Sequence, residues 1–210
     1  MRALKLTNSV GEVKIVWHES DFVIVGGGTA GCMAAIRLKE LAPNAKVTIV
    51  EKANIVRSGC LAAGLNAINA YIHDGETPES FVRYVRFDAM GLIREDLVLT
   101  LAERLNDGVK RLETYGLPIA TDSNGKYLRR GRWGVVIFGE RLKPILAEQV
   151  AKKEVTVLNR INVTGLLAHE GHVAGVIGFD VRSGDIHVIR APAVIVSTGG
   201  AAGIYRPNNP

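Results

Sequence analysis

Three glycines at a fixed spacing are the first residues here with a chemical purpose. Gly26-Gly27-Gly28-Thr29-Ala30-Gly31 is a GxGxxG pattern. Gly26 permits a tight turn, Gly28 lets backbone approach a pyrophosphate, and Gly31 lets a helix pack closely on a strand. Phosphates would sit on the helix N-terminus, where unpaired N–H groups and the helix dipole favour anions. Glu51 follows Gly31 by about 20 residues, a place from which a carboxylate can accept hydrogen bonds from ribose hydroxyls. The expected ligand is a dinucleotide. The turn and its acid do not by themselves separate NAD from FAD.

Lys52 to Ala70 is rich in small and amide residues and poor in charge. Small side chains let backbone approach a flat ring system, and Ser58, Asn66 and Asn69 offer hydrogen bonds without buried charge. A small-residue helix packed on a sheet is the competing reading. Thr198-Gly199-Gly200 is a second glycine turn after an apolar run, expected to return backbone to the same nucleotide at the carboxyl ends of a parallel sheet. His73, Asp74 and Glu76 read as a solvated loop, so no catalytic acid or base is assigned. No metal site is expected: Cys32 and Cys60 lack a CxxC spacing, and His169 and His172 flank a turn as surface residues.

These groups need a scaffold. Phe22 to Val25 is too short for a helix and runs into the glycines, as a buried parallel strand would. Cys32 to Leu41 favours helix, Pro43-Asn44 stops it, and Val47 to Val50 is a second strand, giving a βαβ unit over 21–51. Thr77-Pro78 supplies an N-cap and a first helical residue, with Phe81, Val82, Val85 and Met90 on one side. A longer helix from about Arg94 carries Leu97, Leu101, Leu105, Val109 and Leu112 and stops at Gly116-Leu117-Pro118. Gly139 to Lys153 is a further helix, with Pro144 tolerable near its first turn. Strands at 155–158, 163–168, 173–181 and 185–189, joined by short turns, predict an antiparallel meander over about 154–190. Residues 193–198 return to the parallel sheet. The fold class is therefore α/β, a Rossmann-like βαβ parallel sheet with an antiparallel β-meander and added helices in an insertion over about 77–153. All of it is expected to form one domain over 1–210.

With 210 residues, 47% hydrophobic and 22% charged, the chain can bury a sizeable core and has no disordered signature. Two cysteines imply a reducing compartment. No signal-like or membrane-length apolar run is present, so a cytoplasmic location without membrane insertion is expected. The net charge of +5 is interspersed with acids. Its sharpest cluster, Arg129, Arg130 and Arg132 beside Trp133, suits a solvated loop, an anionic ligand or a partner subunit. Nucleic acid is not expected, because no second aromatic platform or long basic stripe accompanies it.

Several separated stretches carry a family resemblance: Glu51-Lys52-Ala53, Arg57-Ser58-Gly59 running into Ala67-Ile68-Asn69, Met90 through Leu97, Gly131-Arg132-Trp133, and Ser197-Thr198-Gly199-Gly200 with Ile204-Tyr205-Arg206-Pro207. From Asp21 onward the chain resembles the flavoprotein subunits of the fumarate reductase and succinate dehydrogenase superfamily. Within it, the alpha subunits of dissimilatory adenylylsulfate reductases match most nearly. The resemblance implies FAD, with Gly26, Gly28 and Gly31 at the pyrophosphate and Glu51 on the adenosine ribose. It also implies that Arg57-Ser58-Gly59 runs towards the flavin and that Asn69 lies near the isoalloxazine and substrate. Members that attach FAD covalently carry His just after the Arg-Ser pair; Gly59 stands there, which implies a non-covalent flavin.

The activity implied is that of an oxidoreductase exchanging electrons with an iron–sulfur (ferredoxin-like) beta subunit. Its small anionic substrate would be adenosine 5′-phosphosulfate, converted to AMP and sulfite, or alternatively a fumarate-like dicarboxylate. Family members continue past the position of Pro210 into a capping domain with a catalytic arginine and histidine. A FAD-binding module inactive on its own is thus a third expectation.

Overall fold

The computed structural model describes residues 13–71 and 73–200. The chain divides into two compact units, the first holding residues up to Cys60 and from Leu146 onward, the second Leu61–Ile145.

In the first unit, β2 (Phe22–Val25), β3 (Val47–Glu51), β7 (Thr156–Asn159) and β11 (Ala193–Val196) form a parallel sheet in the order β11-β2-β3-β7. Helix α1 (Thr29–Leu41) buries Gly31, Cys32, Ala35 and Ile36 on one side of it. On the other, Val23, Val25 and Val50 pack with Ile161, Val176, Ile189 and Ala191. Strands covered on both faces need continuous apolar runs, which is why β2 and β3 do not alternate. Each such side chain contributes about 1.5–3 kcal/mol by leaving water.

The second sheet of this unit sets β1 (Ile15–Glu19), β10 (Ile186–Arg190), β9 (His172–Asp180) and β8 (Ile161–His169) side by side in that order. Its strands β8, β9 and β10 are the expected antiparallel meander. Two features differ from expectation. The stretch expected to open the meander is β7, which instead pairs parallel with β3, Thr156 facing Thr48. Arg160 makes the break: at φ 66° it takes the left-handed conformation, so the strands on either side leave for different sheets. The meander's fourth place goes to β1, which lies parallel to β10 with Ile15 opposite Ile186.

His18 and His187 join β1 to β10. Their rings stack with centroids 5.1 Å apart, and His18 Nε2 lies 2.9 Å from His187 Nδ1. Burial, and then the charge of His187, holds the His18 pKa below its ordinary 6.5. The unfolded chain therefore takes up that proton first on acidification. This contribution to stability is complete above pH 6.5 and is lost as pH falls through the folded value. The thermal midpoint of the wild type is expected to drop more steeply below pH 6.5 than that of His18→Gln. Identical acid profiles for the two would remove His18 from the account.

In the second unit, α2 (Pro78–Asp88) starts at a capping box: Ser80 N donates to Thr77 Oγ1 at 3.2 Å and Thr77 N donates to Ser80 Oγ at 2.9 Å. Phe81 and Val82 are buried, whereas Met90 falls beyond the helix and is 87% exposed. Helix α3 (Glu95–Thr114) buries Ala102, Val109 and Leu112, with Val98 and Leu105 partly covered. That stripe runs at i, i+4, i+7, i+11 from Val98, so Leu97 and Leu101, expected on the scaffold face, lie one residue off it and stay exposed.

The insertion expected to be helical also holds an antiparallel sheet of β4 (Ala67–Asn69), β6 (Gly134–Val136) and β5 (Arg129–Arg130). Trp133, just before β6, is 2% exposed and meets Phe81 edge-on at 5.5 Å. It is core, and the Arg132 guanidinium lies 5.0 Å above its ring. Helix α4 (Leu142–Lys152) contains the unit boundary; Pro144 sits in its first turn, where no intrahelical N–H bond is lost.

Candidate cofactor site

The glycine turn closes the carboxyl end of β2. Gly26 has φ 100°, and a Cβ there would lie 2.5 Å from Ser197 O, so the turn abuts the end of β11. At Gly31 a Cβ would lie 1.9 Å from Gly26 O, which is how α1 comes close enough to receive the turn. Gly28 is the N-cap of α1, and its Cβ position faces open space. No side chain caps this helix end among the described residues, and its first turn carries no acid. Its free N–H groups and positive dipole end are therefore available to an anion.

Glu51, at the end of β3, is 5% exposed. Its Oε2 accepts a hydrogen bond from Gly27 N at 2.7 Å and its Oε1 accepts one from Ala53 N at 2.8 Å. Each oxygen keeps a further lone pair that a ribose hydroxyl could use. Beyond it, a tight 3-10 turn at Ile55–Arg57, capped by Asn54, leads to Ser58 and to Gly59 at φ 80°. The Cβ position of Gly59 is 3.5 Å from Gly28 Cα. The segment after Glu51 thus returns to the glycine turn.

Two hydroxyls test what the site would hold. Thr29 Oγ1 and Ser58 Oγ are buried and find no hydrogen-bond partner among the described residues. Leaving such a group unpaired costs about 1–3 kcal/mol, which a phosphate oxygen would relieve. Unpaired hydroxyls, an uncapped helix end and glycine backbone with space above it fit a pyrophosphate.

The structure brings Gly26, Gly28, Thr29, Ala30, Gly31, Glu51, Lys52, Arg57, Ser58, Gly59, Thr198, Gly199 and Gly200 into the first unit. Ala30, Lys52, Arg57 and the Thr198–Gly200 turn are solvent-exposed. Asn66 and Asn69 belong to the second unit, also exposed, around β4. The small-residue segment forms turns and a short strand there, where a packed helix was the competing reading. His73, Asp74 and Glu76 have partners within the second unit: Gly134 O, Lys126, and Ser80 with Arg132. Gly27 was missed as a functional residue, although three consecutive glycines were the available signal. Ile204 to Pro207, which carry part of the family resemblance, lie outside the described residues.

A parallel sheet whose glycine turn feeds an open helix end, beside a buried acid closing the next strand, defines a dinucleotide-binding domain. The family model described as FAD binding domain matches residues 21–209, and the chain belongs to that family. FAD is therefore the cofactor, and the α/β fold is the family's.

The chain is 36% identical to the adenylylsulfate reductase subunit alpha of Megalodesulfovibrio gigas, over 96% of this chain and 34% of that protein. The solved adenylylsulfate reductase of Archaeoglobus fulgidus matches with a TM-score of 0.84 at 42% identity, covering 94% of this chain and 33% of that one. The fumarate reductase flavoprotein subunit of Escherichia coli is 29% identical over 90% of this chain and 33% of its own length. The chain thus spans about a third of the length of these relatives. Among the described residues no helix is long and apolar enough to cross a membrane.

Proposed function

We propose that this chain is the FAD-binding part of a cytoplasmic oxidoreductase subunit that reduces adenosine 5′-phosphosulfate to AMP and sulfite, with electrons from an iron–sulfur beta subunit. The observation that carries this reading is the likeness to adenylylsulfate reductases, at 36% and 42% identity over nearly the whole chain. FAD, when bound, supplies a centre that takes up and gives out electrons. The chain's own residues bind and orient it. The N–H groups at the start of α1 and the hydroxyls of Thr29 and Ser58 hold the pyrophosphate, and Glu51 takes the adenosine ribose. Gly28 and Gly59 keep the approach free of side chains, while the Thr198–Gly200 turn borders the same site. Asn66 and Asn69 are offered to the flavin and substrate. Residues 1–210 act as the FAD-binding domain, with the substrate-capping domain outside them. The similarity to a fumarate reductase flavoprotein supports a second reading, in which a dicarboxylate is the substrate.

Because Gly59 stands where covalent members carry histidine, the flavin is held without a covalent bond. Purified protein is expected to be yellow and to release all of its FAD into the supernatant on acid precipitation. Flavin remaining in the pellet would sink the non-covalent assignment, and colourless protein that ignores added FAD would sink the binding reading. For the substrate, the full-length protein is supplied with a reduced viologen dye. Sulfite and AMP formed from adenosine 5′-phosphosulfate support the first reading; turnover of fumarate alone replaces it with the second.

A further inference from the structure

Asn159 is the last residue of β7 and pairs in register with Glu51. Its Oδ1 accepts a hydrogen bond from Ile55 N at 2.8 Å. The next backbone group, Arg160 N, donates to Ala53 O at 2.9 Å, and Ala53 N is the donor to Glu51 Oε1. The segment after Glu51 is thereby tied to the end of β7 at two points and to the buried acid at a third. Ile55, held in this way, is 7% exposed, and its Cγ1 lies 3.1 Å from the Cβ position of Gly27. The pinned segment therefore bears on the glycine turn itself. One tight turn later it presents the buried Ser58 hydroxyl and places Gly59 against Gly28.

We propose that Asn159 is a positioning residue for FAD: it fixes residues 53–59 beside the glycine turn before the cofactor arrives. No regular ladder orders this segment, so the ordering would otherwise be taken from binding free energy. Because Arg160 turns the chain away at φ 66°, Asn159 is the final β7 side chain that can reach the loop. An apolar residue there leaves Ile55 N–H without its acceptor. The inference rests on the reading of the glycine turn as the FAD site.

The test compares Asn159→Ala and Asn159→Asp in the full chain, the aspartate keeping an acceptor oxygen. FAD affinity is read from flavin fluorescence quenching, and loop order from amide hydrogen exchange of the cofactor-free protein. Asn159→Ala is expected to weaken FAD binding about tenfold and to speed exchange at residues 53–59 while α1 exchanges as before. Asn159→Asp keeps the acceptor and is expected to restore the protection at residues 53–59, while the second carboxylate it sets opposite Glu51 keeps FAD affinity below the wild type. Wild-type affinity in the alanine variant, loss of protection spread evenly over β2, α1 and β3, or exchange at residues 53–59 as fast in the aspartate variant as in the alanine one would each overturn the inference alone. A wild-type chain that does not bind FAD would instead overturn the site reading on which it rests.

Discussion

Replacing Gly31 with alanine is expected to abolish FAD uptake and to destabilise the first unit. The added methyl would sit 1.9 Å from Gly26 O, 3.1 Å from Gly26 C and 3.3 Å from Ile24 Cγ2. Neither backbone atom is the end of a flexible side chain that could swing aside. Relief requires α1 to lift from β2 or the turn to open, and overpacking of this kind costs about 1–3 kcal/mol. The phosphate-binding N–H groups move with the helix, so affinity falls by more than the stability loss alone implies. Gly28→Ala is the matched control, since its methyl meets nothing within 4 Å. That variant is expected to lose no more than about 1 kcal/mol, the cost of alanine at an N-cap, yet still bind FAD poorly, because the methyl enters the cofactor's space. Thermal melts and fluorescence titrations check both. A Gly31→Ala chain that melts and binds like the wild type would refute the packing account of the turn.

Glu51→Ala carries the second large expectation. One side chain serves both the turn before the helix and the loop after β3, through Gly27 N and Ala53 N. Hydrogen bonds to a charged acceptor contribute about 1.5–3 kcal/mol each, and the stranded buried donors add their own cost. A loss of about 3 kcal/mol in unfolding free energy is expected, with FAD affinity down by about a hundredfold or more because turn and loop both loosen. Glu51→Gln keeps one acceptor oxygen and should fall between the two. Alanine and glutamine variants with equal affinities would show that the carboxylate's bonds to the backbone do not organise the site.

Much of this site was legible in the chain because its requirements are local. A strand that must be buried on both faces, a turn that must expose backbone, and a helix that must start without a side-chain cap each restrict a few consecutive residues. Phe22 to Gly31 carries all three. Thr77-Pro78 was legible for the same reason, since a capping box closes within one helical turn. Arg160 shows the opposite case. A left-handed residue that is not glycine leaves no compositional mark, so two apolar runs separated by it read as neighbours in one meander although they belong to different sheets.

The sequence by itself determined the βαβ unit, the glycine turn and the acid that closes it, because spacing along the chain is what a strand, a turn and a helix N-terminus demand. Tertiary structure alone decided that β7 leaves the meander for the parallel sheet, that β1 takes its place, that Leu97 and Leu101 stay exposed, and that Trp133 is core. It alone brought Asn159 to the loop after Glu51. Such pairings depend on backbone groups and faces that meet from distant parts of the chain, as Ile55 and Asn159 do at a sequence separation of 104. A hydrogen-bond acceptor needed at that distance constrains one residue only, and a single asparagine at a strand end looks like any other.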